Sequence, residues 1–157
     1  MLDEIKYKSI GIIHTPYTRK EDTPIQGCFC PDSRGYIELF PEYVEGLQNI
    51  EGFSHLILIY HFHKAEECSL IARPFLDKEK KGIFATRYFA RPTPIGLSVV
   101  KLLKVNDNIL DIGEVDMLDG TPLLDIKPYV PQFDIKEQVE NGWYKCASER
   151  EKYEAKK

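Results

Sequence analysis

Long apolar runs are missing from this chain. The longest, Leu56 to Tyr60, has the length of a β-strand and falls far short of the ~20 residues a membrane-spanning helix requires. Met1-Leu2-Asp3-Glu4-Ile5-Lys6 shows no apolar h-region and no small-residue cleavage site, so a cytoplasmic protein with no membrane partner is expected. Cysteine is scarce. Cys28, Cys30, Cys68 and Cys146 are too few and too irregularly spaced for a disulfide framework in 157 residues, and reduced thiols are expected. Cys28-Phe29-Cys30 lacks the second pair that a structural zinc site needs, and His61-x-His63 lacks an identifiable third ligand, so no metal is expected. An excess of basic charge is also missing. With 21 Lys and Arg against 25 Asp and Glu, the net charge is -4, which counts against nucleic acid unless a local basic patch supplies the grip. There is no G-x-G-x-x-G loop after a strand, no repeat and no low-complexity segment. The common dinucleotide site is thereby excluded, and any nucleotide cofactor must be held by another architecture.

What is present is the material of a β domain. Hydrophobic residues make up 43% and charged residues 29% of the chain, an ordinary globular balance, and the length suits a single domain spanning 1–157. Short segments rich in Ile, Leu, Val and Tyr predict strands over 8–14, 35–40, 55–62, 82–86, 97–105, 109–117 and 123–127, with Pro, Gly, Asn and Asp between them. Asn106-Asp107-Asn108 is a tight-turn signal, since Asn and Asp tolerate positive φ. Helical signals are sparse: one or two turns beginning at Pro41, and a polar, helix-prone stretch over 147–157. Strands do not alternate with long helices. The expected fold class is therefore mostly β, a small single-sheet β-barrel with one or two short helices and no Rossmann fold.

Three segments carry chemistry. In Gly82 to Gly96, Arg87 and Arg91 bracket Tyr88-Phe89-Ala90, and Pro92 and Pro94 stiffen the loop. Two guanidiniums beside two aromatic rings suit a carboxylate and a stacked purine, as well as a plain solvated loop. In Leu118 to Tyr129, Asp119-Gly120 signals a turn, and Asp125 and Lys127 fall on one face of a strand. Thr23-Pro24-Ile25-Gln26-Gly27 reads as a loop.

Together with Ile10-Gly11-Ile12-Ile13-His14-Thr15-Pro16-Tyr17, Glu51-Gly52-Phe53-Ser54-His55-Leu56 and Asp119-Gly120-Thr121-Pro122-x-x-Asp125-Ile126-Lys127-Pro128-Tyr129, these segments resemble the TrmO-like (TsaA-domain) family of S-adenosylmethionine-dependent tRNA methyltransferases. The likeness covers about 9–134, leaving 135–157 as a partly helical tail. It implies a single-sheet barrel working as a homodimer. It also implies N6-methylation of threonylcarbamoyladenosine beside the anticodon of threonine tRNA, with S-adenosyl-L-methionine as cofactor. On the family motif the cofactor contacts fall at Pro24, Ile25, Gln26, His63, Lys64, Arg87, Leu97, Asp119, Gly120, Thr121 and Pro122. The clustering of Asp125, Lys127 and Tyr129 on the matched motif makes them the expected catalytic group. Asp125 or Asp119 would orient or deprotonate the acceptor, with Lys127 and Tyr129 shaping the site. The chain departs from the family pattern T-R-S-P-x-R-P-N-P-I-G by having Tyr88-Phe89 for Ser-Pro and Thr93 for Asn. That departure keeps open a methyltransferase for another nucleoside or small molecule, and a non-catalytic cofactor-binding module.

Overall fold

The computed structural model describes residues 4–144, among which the chain is mostly β. Six antiparallel strands close into a barrel: β1 (Gly11–His14), β2 (Arg34–Leu39), β3 (His55–His61), β6 (Ile95–Asn106), β7 (Ile109–Gly113) and β8 (Thr121–Pro128). Their spatial order is β1-β2-β7-β6-β3-β8, and β8 returns to β1 through Leu123 opposite Gly11. Two short strands, β4 (Ile71–Ala72) and β5 (Lys81–Gly82), form a separate ribbon in the excursion between β3 and β6.

Alternation of apolar and polar residues sets which way each strand faces. Along β3, Leu56, Leu58 and Tyr60 point inward, while Ile57 and Ile59 are only half-buried. With Ile13, Ile37, Val100, Leu110, Ile112 and Leu123 they fill the lumen, so this barrel is a packed core rather than a channel. The turn between β6 and β7 forms as the sequence predicts, with Asp107 in the left-handed region at φ 52.

Two expectations are revised. Residues 82–86 are not a strand: Ile83–Ala85 is a 3-10 turn, closed by Thr86 N–H donating to the Ile83 carbonyl (3.1 Å) and by the Thr86 hydroxyl donating to the same oxygen (2.9 Å). Ile83 is apolar because it is buried in that turn, not because it belongs to a sheet. The strand predicted over 109–117 stops at Gly113, because Glu114 takes φ 59 and turns the chain across the end of the barrel. The helical signal at Pro41 becomes a 3-10 helix (Pro41–Leu47), and a four-residue helix, α1 (Pro131–Asp134), follows β8. The helix-prone stretch over 147–157 and Cys146 lie outside the described residues. No helix among the described residues is long and apolar enough to cross a membrane.

Candidate active site

At the mouth where β3 ends and β6 and β8 begin, the core changes character. The last inward side chains are polar. The Tyr60 hydroxyl and Ser98 Oγ lie 2.9 Å apart, and Ser98 Oγ donates to Asp116 Oδ1 at 2.6 Å. Asp116 is carried there by the turn at Glu114, and its second oxygen accepts the Gly27 backbone N–H at 3.0 Å. The Tyr60–Ser98–Asp116 chain thus caps the apolar lumen and forms the floor of a cavity of about 1120 Å³.

Two glycines make this floor possible. A Cβ on Gly27 would collide with the Glu114 backbone, so only glycine lets the 26–29 turn lie flat enough for its N–H to reach Asp116. A Cβ on Gly96 would run into the Tyr60 and Phe62 rings, which stand edge to face over it with centroids 5.4 Å apart.

Burial pushes the Asp116 carboxyl up to about 6, against the Ser98, Gly27 and Arg87 contributions that favour its charged form. The same burial, with Asp116 adding to it, raises the Tyr60 phenol well above its ordinary value, so Tyr60 stays protonated and donates. His63, also at the cavity, is lowered by desolvation and by Lys64 and His61, which keeps the imidazole neutral near pH 7.

Eight of the eleven sequence-expected cofactor residues converge here from five places. Pro24, Ile25 and Gln26 come from the loop after β1, His63 and Lys64 from the end of β3, Arg87 from the loop before β6, and Leu97 from β6 itself. Thr121 joins them from the start of β8, its hydroxyl donating to the Leu118 carbonyl at 2.7 Å and standing 3.5 Å from His63 Nδ1. Asp119, Gly120 and Pro122 do not line the cavity. Asp119 Oδ1 accepts the Thr15 N–H (3.1 Å) and faces His14 Nδ1 (3.4 Å), while its own N–H donates to the Tyr17 carbonyl. Gly120, at φ 77, makes the turn and anchors it to Ile13. These groups shape the turn that presents Thr121.

Asp125, Lys127 and Tyr129 are not brought to this cavity. Four residues of strand beyond Thr121 carry the chain about 13 Å along the barrel. Asp125 is accordingly paired with Ile59, Lys127 with Ile57, and the Tyr129 N–H donates to the His55 carbonyl at the opposite mouth. Lys127 Nζ sits 2.7 Å from Asp125 Oδ2, and Tyr129 packs edge-on against His55. Asp125 borders a separate groove of about 430 Å³ with Tyr43, Leu47 and Phe53.

Sequence reasoning missed Asp116, Ser98 and Tyr60. The available signal was a single carboxylate wedged between Val115 and Met117, an arrangement in which a charge is either solvated by a turn or buried for a purpose. Among the described residues no group of three or more His, Cys, Asp and Glu side chains is placed to hold a metal ion.

Comparison with known proteins agrees with this architecture. A family model described as the tRNA-methyltransferase O N-terminal domain matches residues 12–135. The chain is 57% identical over 139 residues to a probable S-adenosyl-L-methionine-binding protein of Pyrococcus abyssi, covering 88% of this chain and 76% of that protein. It is 35% identical over 140 residues to the tRNA (adenine(37)-N6)-methyltransferase of Escherichia coli, covering 83% of this chain and 60% of that enzyme. A crystal structure of TrmO from Pseudomonas aeruginosa superposes with a TM-score of 0.77 at 38% identity, covering 91% of this chain and 62% of that one. The chain therefore spans about three-fifths of the length of these two bacterial proteins.

Proposed function

This chain belongs to the tRNA-methyltransferase O N-terminal domain family, and from that premise we propose that it moves a methyl group from S-adenosyl-L-methionine to N6 of an adenine in tRNA. The observation that carries the reading is a carboxylate with a raised pKa at the floor of a cavity whose walls are the family's expected cofactor residues. The residues present fit the cofactor. A sulfonium favours carboxylate and aromatic faces, which Asp116, Tyr60 and Phe62 offer, and an amino-acid carboxylate favours a guanidinium, which Arg87 offers. When bound, S-adenosyl-L-methionine supplies an electrophilic methyl on a positively charged sulfur.

The chain's own residues then have three tasks. The cavity walls align the acceptor nitrogen with that methyl, which is the larger part of the work in an in-line displacement. As the N–C bond forms and the S–C bond breaks, the acceptor nitrogen must shed a proton. Asp116, ionised above about pH 6, takes it and passes it to solvent, while the Tyr60–Ser98 hydrogen bonds hold the carboxylate in place. Neutral His63 offers a lone pair rather than a second positive charge beside a cationic cofactor.

The finer identity rests on the motif blocks: threonylcarbamoyladenosine beside the anticodon of threonine tRNA is the acceptor, and the cytoplasmic protein acts as a homodimer. A binding module without turnover is the second reading, favoured by the name of the Pyrococcus abyssi relative, which specifies binding and no reaction. Calorimetric titration with S-adenosyl-L-methionine and its demethylated product should give Kd values of about 1 μM, weakened at least about tenfold by Arg87→Ala. Incubation with tRNA and mass spectrometry of the nucleosides should then reveal an N6-methylated adenosine derivative. Absence of cofactor binding sinks the proposal, and binding without any methylated nucleoside leaves the module.

A further inference from the structure

The cavity exceeds the roughly 300–1,000 Å³ that holds one drug-sized ligand, and its outer wall is built differently from its floor. Phe75 and Tyr88 approach with ring centroids 5.7 Å apart, and Tyr88 stacks on Phe89 at 4.3 Å with planes 28° apart. Phe89 is backed by Phe62 at 6.3 Å, and Lys20 Nζ lies 4.4 Å from its centroid. This wall is preorganised. Arg91 Nη1 donates to the carbonyls of Thr86 (2.8 Å) and Tyr88 (3.1 Å), and the Tyr88 N–H donates to Thr86 Oγ1 (3.2 Å). It ends outward in Phe75, which lines the cavity yet leaves 60% of its surface in solvent. Tyr88 and Phe89 stand where the family pattern has Ser and Pro.

Taking the methyltransferase reading as its basis, we infer that the Phe75–Tyr88–Phe89 wall is the stacking platform for the acceptor base, receiving an unpaired nucleobase of single-stranded RNA beside the cofactor. An exposed aromatic face at a cavity rim suits a ligand that arrives from outside after the floor is filled. Single-stranded loops are the form of RNA whose bases can splay onto aromatic rings, whereas a duplex keeps them stacked. Charge supports the same occupant. In a chain of net charge -4, the cations Lys64, Arg87 and Arg91 line this cavity together with Lys20, which pairs with Glu66 at 3.2 Å, against the carboxylates Glu21 and Asp116. A phosphate backbone laid across the rim meets the local basic patch that the overall charge does not provide.

The chain's single tryptophan, Trp143, reports on this rim. Its indole Nε1–H donates to the Ala85 carbonyl at 2.7 Å, within the loop that carries Tyr88. The experiment is fluorescence titration of the full chain with an RNA hairpin bearing an unpaired loop adenosine, and with the same RNA fully paired to its complement. Calorimetry with S-adenosyl-L-methionine runs in parallel. The hairpin should bind more tightly than the duplex. Phe75→Ala should weaken hairpin binding about 5- to 150-fold, the range one stacked base contributes, with cofactor affinity unchanged. Phe75→Trp should restore binding and establish that an aromatic face is what matters. Three results overturn the inference: unchanged hairpin affinity in Phe75→Ala; weakened cofactor binding, which gives the wall to the cofactor's adenine; or a fall in assembly mass by sedimentation, which gives it to a second copy of the chain. Failure of the unsubstituted protein to bind the cofactor at all strikes the underlying reading instead, and the hairpin titration still decides the platform.

Discussion

Two regions of the barrel carry similar side chains: Asp116, Arg87 and Tyr60 at the cavity, and Asp125 and Lys127 along β8 beside Ile59 and Ile57, with Tyr129 beyond them at the opposite mouth. Their environments separate them. Asp125 is half in solvent and pairs with Lys127 at 2.7 Å, so its charge is compensated by a neighbour. Asp116 faces a neutral hydroxyl and a backbone N–H, and burial raises its carboxyl to about 6. A carboxylate that is costly to ionise is a usable base near neutral pH, whereas one satisfied by a surface lysine is part of a solvated strand face. Residue types are alike in the two regions; depth and partner make the difference.

The strongest way to break this comparison is to neutralise each aspartate in turn. Asp116→Asn should lower methyl transfer about 10²- to 10⁴-fold, while Asp125→Asn stays within about twofold of the parent. Isotope transfer to tRNA measures both, and the reverse result would move the chemistry to the other region. A smaller effect tests packing. Gly96→Ala forces Tyr60 and Phe62 aside and should cost about 1–3 kcal/mol, or roughly 2–12 °C in Tm. Gly46→Ala, beside the opposite groove with nothing within 4 Å of the new methyl, should change stability by less than about 0.5 kcal/mol in the same thermal melts.

The pH dependence sharpens the contrast further. kcat/KM should climb about tenfold per pH unit below about 6 and level off above it, a profile that Asp116→Asn flattens. Stability runs the other way. The folded carboxyl titrates at about 6 against an ordinary 3.8, so the folded state holds the extra proton in between. Its contribution is therefore complete below about pH 4 and is lost as pH rises through 6. Denaturant titrations across that window check the sign, and a rise in stability with pH that Asp116→Asn abolishes would contradict it. The smallest expected change is at the exposed pair: Lys127→Ala should cost no more than about 1 kcal/mol and leave the rate untouched.

Much of the fold was readable from local pattern. The alternation in His55–His61 and the turn at Asn106-Asp107-Asn108 are short-range properties, and both strands and turn appear where they point. The 82–86 segment misleads because a buried 3-10 turn and a buried strand both demand apolar residues, and Ile83 satisfies either. The cavity-lining residues from the 24–26 loop, from His63 and Lys64, and from Arg87 were legible as motif members. Asp116 was not, since its meaning lies in contacts with Ser98 and Gly27, which are 18 and 89 residues away.

By itself the sequence determined the barrel: the length and alternation of its strands, the Gly, Pro and Asn turns between them, and the family whose motifs it carries. Those properties depend on neighbours a few residues apart, where side-chain period and backbone preference act. Which aspartate is buried, which mouth holds the cavity and which aromatic rings form its wall were decided only by closure of the sheet. Closure sets the β3–β8 register and places Tyr60, Ser98 and Asp116 beneath the cavity and the Asp125–Lys127 pair beside the outward-facing Ile59 and Ile57. A pKa responds to desolvation and to charges in space, and neither is defined until the chain has folded around the group.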